Sequence, residues 1–195
     1  MTLTAWTEVQ LAVGGALRLA RGDRRGLGFF DASIDGFWRS FRAGLICYPL
    51  YLLLLSFRIA GSAWAASGPV SILAAETIAY VISWVAFPLL MLPLARWLDR
   101  DDRFLPFMVA YNWSQIPQAV LFLLIGLDGA TGLLPPPVVH FAGLLATIVV
   151  LVYEWFIARV ALMVTGAQAC LVVIIDILLG TILGRVADWL YGAAS

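Results

Sequence analysis

Residues 106–127 read PFMVAYNWSQIPQAVLFLLIGL, an apolar run interrupted near its middle by Asn112, Ser114, Gln115, Pro117 and Gln118. About 20 such residues cross a 30 Å hydrocarbon core, so the stretch reads as a membrane span. An unpartnered amide in hydrocarbon costs roughly 4 to 8 kcal/mol on alkane-transfer scales. Each of these side chains therefore requires a partner inside the protein or a wet cavity.

The rest of the chain repeats the apolar pattern. Hydrophobic residues make up 63% of the 195 and charged residues 12%, and the mean hydropathy is +0.95. A soluble core does not absorb that much apolar surface. Spans are predicted at about 42–60, 70–97, 104–126, 138–164 and 167–191. The connections AGSAWAASGP, LDRDDRF, DGATGLLPPP and TGAQA are short and rich in turn formers or charge, as antiparallel neighbours require. The expected fold is all-α: a polytopic bundle of five transmembrane helices over residues 42–195, preceded by a cytoplasmic arm over residues 1–41.

Orientation follows the arginines. Arg18, Arg21, Arg24, Arg25, Arg39 and Arg42 precede the first span, and Arg96, Arg100 and Arg103 flank the second connection. The excess of basic residues marks these segments as cytoplasmic, giving an N-in, C-out topology. All 12 basic residues are arginine, a bias expected of a GC-rich bacterial genome and hence of a multi-pass protein of the bacterial inner membrane. The N-terminal residues show no basic, apolar and small-residue succession, so no cleavable signal peptide is expected.

Within the arm, Trp6, Val9, Val13, Ala16, Leu17 and Ala20 fall on one helical face, interrupted by Leu11 and Leu19. An amphipathic helix lying in the membrane interface fits this pattern; so does a helix packed on the bundle. The following RLARGDRRG places Arg18, Arg21, Arg24 and Arg25 where anionic lipid attracts them, at up to about 1 kcal/mol per residue, unless they only enforce topology.

At 1.5 Å rise per residue, Asn112, Gln115, Glu154 and Asp176 all lie about 12 to 17 Å from the cytoplasmic ends of their spans. Asn112, Gln115 and Gln118 share one stripe by their i, i+3 spacing, and Pro117 frees the Trp113 carbonyl. This midplane layer either lines a polar path, since intramembrane carboxylates often mark ion or proton routes, or ties helices together. In the second case the acids are neutral or paired with Arg159. Interhelical bonding is the more economical reading, because such contacts average about 0.6 kcal/mol and are common. Glu76, Arg58 and His140 fall near the outer ends of their spans, within reach of headgroups, and Arg185 and Asp188 are spaced for an i, i+3 pair. Trp84, Trp113 and Trp155 are expected to pack between helices, and an aromatic lining of a cavity would give the same sequence pattern.

Other chemistry is poorly supplied. With one histidine, a multi-histidine metal site, a HExxH protease and a Ser-His-Asp triad are excluded within this chain. GxSxG, GxGxxG and P-loop patterns are missing. Cys47 and Cys170 stand isolated in apolar surroundings, as packing residues do. No enzyme activity, cofactor, metal or nucleic-acid partner is expected; membrane lipids, a membrane-protein partner or a second copy of the chain are.

The order of elements, with FFDASIDGFWRSFRA leading from the arm into five tightly connected spans and the FWRSF and YNWSQ segments within them, resembles the bacterial branch of the Yip family. These are membrane proteins named for interaction with Ypt-type small GTPases. The resemblance implies a fold more than a task. The expected function is that of a non-enzymatic protein organising or binding membrane components, against the alternative of a small transporter or channel-like protein using the midplane layer.

Overall fold

A computed structural model describes residues 5–191 except 60, 62, 63, 65 and 66. Both chain ends and much of the AGSAWAASGP connection thus lie outside the described residues. Among the described residues, seven α-helices are assigned in order: α1 (Ala5–Ala20), α2 (Ile34–Ser40), α3 (Arg42–Arg58), α4 (Pro69–Trp97), α5 (Phe104–Thr131), α6 (Pro136–Ala161) and α7 (Gly166–Leu190). Five stretches, 34–58, 69–97, 101–131, 136–161 and 166–190, are long and apolar enough to cross a membrane. The protein is a multi-pass, all-α membrane protein. The first of these stretches begins before residue 42, because α2 leads into α3 almost without a break.

Local sequence sets the helix ends. Prolines open α4 and α6, where a missing N–H costs nothing. Thr165 and Gln168 form a reciprocal capping box at the start of α7. At the ends of α4 and α6 the chain turns through left-handed residues, Asp99 (φ 54°) and Met163 (φ 55°). There the Arg100 N–H bonds the Ala95 carbonyl at 2.8 Å and the Val164 N–H the Arg159 carbonyl at 3.3 Å, the pattern of a Schellman cap. Arg100 Nε donates to the Met163 carbonyl at 3.3 Å, tying the two turns together.

Around the bundle the order is α3, α5, α6, α7, α4. The largest core cluster among the described residues lies at the end carrying Arg96, Arg100 and Arg103, where Phe87, Met91, Phe107, Met108, Ile157 and Leu162 pack together. A second cluster gathers Trp113 with Ala43, Cys47 and Val109. Outward faces are apolar: Val70, Leu89, Phe141, Val149 and Ile182 are all exposed, an arrangement suited to a hydrocarbon solvent. Cys170 is exposed as well, so the packing role expected of both cysteines applies to Cys47 alone.

The arm shares this core. α1 lies across α5 and α6 with Ala12, Ala16 and Leu19 buried, while Trp6, Leu11 and Leu17 are exposed. The buried face is therefore rotated from the predicted one: Leu19, which interrupted the pattern, enters the main core. Packing against the bundle, not the apolar moment of the isolated helix, selects that face. Gly15 and Gly26 allow the fold-back, since a Cβ on Gly26 would stand 2.5 Å from the Gly15 carbonyl oxygen. Glu8 receives Arg39 at 2.8 Å and Arg42 at 3.0 Å, stapling α1 to α2 and α3. Arg39 also pairs with Asp31. Hydrogen bonds from Ser33, with the Arg39 charge, hold the Asp31 carboxyl below the usual range.

Candidate functional site

The interrupted stretch lies on α5, and its three amides diverge. Steps of three residues fall about 60° short of a full turn, so Asn112, Gln115 and Gln118 wind around the helix instead of facing one neighbour. Asn112 Nδ2 donates to Ser40 Oγ at 2.8 Å, at the junction of α2 and α3, and Ser40 Oγ donates to the Phe37 carbonyl at 2.6 Å. Gln118 Nε2 donates to Ser114 Oγ at 3.3 Å, and its amide also meets the Glu154 carboxylate on α6. Gln115 stands between them beside the Tyr111 hydroxyl, its Nε2 buried and without a hydrogen bond.

The two acids interact across the α6–α7 boundary. Asp176 Oδ1 accepts a hydrogen bond from Tyr111 at 2.7 Å, a partner that position alone did not single out. A tyrosine one residue before the polar run, at the same depth, was the available signal. Arg159 does not pair with either acid. It lies over the Trp155 ring at 5.2 Å, because five residues along a helix turn it about 140° away from Glu154.

Beside this layer is a cavity of about 90 Å³ bounded by α4, α5 and α7, lined among others by Ser83, Trp84, Tyr111, Asn112, Gln115 and Asp176. Its volume suffices for a few waters. Pro88 also lines it; that residue removes the donor for the Trp84 carbonyl four positions earlier. Glu154 and Gln118 are not in its lining. Thus three of the five polar layer residues border one space and two are held outside it.

A second polar centre lies toward the opposite end of the bundle. Glu76 is 2% exposed and accepts hydrogen bonds from Arg58 and Tyr51 and one from Tyr191 at 3.2 Å. Instead of reaching headgroups, as its position implied, it is the hub of a buried network between α3, α4 and the end of α7. The Tyr191 hydroxyl also lies 2.7 Å from Asp188 Oδ1; its single proton serves one carboxylate at a time. Asp188 meets this tyrosine and forms no ion pair with Arg185.

All four of the arm's arginines, Arg18, Arg21, Arg24 and Arg25, are exposed, and Arg18 lies over the Phe29 ring at 4.8 Å. Asp23 uses its carboxylate to cap the following turn, accepting from the Arg25 N–H at 3.0 Å. The chain matches no protein-family model, no curated protein and no solved structure.

Proposed function

We propose that this is a non-enzymatic protein of the bacterial inner membrane, similar to the Yip family, that binds or organises membrane components. The observation that carries this reading is that Asn112, Gln118 and Asp176 of the midplane layer are bonded within the protein. Asn112 is bonded to Ser40, Gln118 to Ser114 and Tyr111 to Asp176, and the adjoining cavity of about 90 Å³ stops short of Glu154. The bonds from Asn112 to Ser40 and from Tyr111 to Asp176 cross between helices and hold them together, while Gln118 is tied within α5; the membrane-facing surface and the basic arm are left for binding. The arm supports the same reading with exposed Arg21, Arg24 and Arg25 next to a helix that exposes Trp6, Leu11 and Leu17, a combination suited to an anionic lipid surface.

Purified at full length in mild detergent, the protein is expected to retain phospholipid at a fixed molar ratio and to lose thermal stability when that lipid is stripped. A lipid-free protein of unchanged stability would contradict the reading. Topology has its own check: a reporter inserted at 98–103 is expected to report the cytoplasm, and a periplasmic signal from it reverses the orientation.

A second reading, a small transporter or channel-like protein, draws on one observation. Asn112, Gln115 and Asp176 border a shared polar space near the middle of the bundle, and Gln115 Nε2 makes no hydrogen bond among the described residues. Transport predicts a flux that depends on these residues.

A further inference from the structure

α3 and α4 meet through long side chains more than through close backbones. The Tyr48 hydroxyl and Thr77 Oγ1 lie 2.8 Å apart, and the Tyr80 hydroxyl donates to the Gly44 carbonyl at 2.7 Å. Trp84 lies against α3 at Gly44, where a Cβ would come within 3.0 Å of the indole ring. Outside these bridges runs a groove of about 510 Å³. Its walls include Phe41, Leu45, Tyr48, Val81, Trp84 and Val85, and Arg42 with Trp38 stands at its arginine-rich end.

From Trp38 to Tyr48 the groove follows ten residues of helical chain, roughly 15 Å. That is half of a 30 Å hydrocarbon core, so the groove spans one leaflet. Leu45, in its wall, is 77% exposed, and the groove opens sideways where the solvent is lipid. The bridges from Tyr48 and Tyr80 close the floor of the groove, so a ligand lies along its outer, membrane-facing side. An extended hydrocarbon chain fits.

The charge at the mouth selects what the chain belongs to. Arg42 gives Nη1 to Glu8 at 3.0 Å, and its remaining N–H donors meet no acceptor among the described residues. A guanidinium half-used in this way complements a phosphate. Trp38, also exposed at the mouth, belongs to the residue type that settles at headgroup level. We infer that the groove between α3 and α4 binds one acyl chain of a phospholipid in the arginine-side leaflet, with the lipid phosphate held by Arg42. This inference rests on the membrane-binding reading above and names its ligand.

The test is mass spectrometry of phospholipid retained by the full-length protein, followed by exchange in nanodiscs of phosphatidylglycerol or phosphatidylethanolamine. Val85→Trp and Leu45→Trp fill the groove and are expected to lower retained lipid several-fold, while Val149→Trp, on the outward face of α6, leaves it unchanged. Arg42→Gln is expected to weaken binding about five- to tenfold, the range of a charge-assisted contact at a membrane surface. Equal weakening for both lipids identifies the phosphate as the contact; weakening confined to phosphatidylglycerol identifies recognition of net headgroup charge and overturns the phosphate assignment, as does unchanged binding. Folded groove-filling variants that retain wild-type lipid overturn the groove while leaving the membrane-binding reading standing. Wild-type protein that retains no phospholipid overturns both.

Discussion

Two carboxylate centres lie in this bundle, and they are satisfied in opposite ways. Toward one end, Glu76 is enclosed by a cation and two tyrosine hydroxyls. At the middle, Glu154 and Asp176 meet only neutral donors, Gln118 and Tyr111. The difference follows from depth. Arg58 sits at the last turn of α3 and its side chain is 52% exposed, so it reaches inward to Glu76 while its stem stays near the membrane boundary. No arginine in this chain is placed to do the same for the midplane acids, and Arg159 turns to Trp155. A buried carboxylate near a span's end can thus be held as an ion pair, whereas one at the midplane depends on hydrogen bonds from amides and phenols.

Breaking the first centre has the largest expected effect. Glu76→Leu leaves Arg58, Tyr51 and Tyr191 without their shared acceptor. Loss of one partner from a fully buried pair costs about 3–5 kcal/mol; with Arg58 half-exposed, about 2–3 kcal/mol is expected here. Thermal unfolding in detergent checks this as a fall in Tm, and an unchanged Tm would show that the network contributes nothing. Asn112→Ala comes next. It removes the hydrogen bond that joins α5 to the α2–α3 junction, at an expected cost of about 1–2 kcal/mol. The complementary Ser40→Ala should cost little more when combined with it than alone, and full additivity would deny that the two side chains act as a pair. The smallest effect belongs to the midplane acids: Glu154→Gln and Asp176→Asn each keep an oxygen to accept the existing bonds, so stability should change by no more than about 0.5 kcal/mol. Collapse of either amide variant would mean that the layer requires a charge, erasing the contrast between the two centres.

Much of this was legible in the sequence for physical reasons. Span positions follow from long apolar blocks, and the common depth of Asn112, Gln115, Glu154 and Asp176 follows from helical rise. What depth does not encode is azimuth, the direction in which each side chain points. Asn112 therefore met Ser40 instead of an acid, and Arg159 met Trp155. Azimuth also explains α1, where Leu19 looked out of pattern on the isolated helix but faces the core once Gly15 and Gly26 let the arm fold back. A position near the end of its span points Glu76 toward headgroups when the residue is taken alone, and position alone does not encode its neighbours. The informative feature was a lone acid in α4 opposite an arginine at the end of α3, with Tyr51 two turns before it.

In the proposed function the midplane layer joins helices instead of conducting. The most direct test of that role is proton and sodium flux in proteoliposomes containing the full-length protein, measured alongside Asp176→Asn. The expected result is a flux in wild type no greater than in protein-free liposomes, and the same in the variant. A wild-type flux well above that background, abolished by Asp176→Asn in a folded protein, would contradict it and establish the cavity beside Asp176 as part of a transport path.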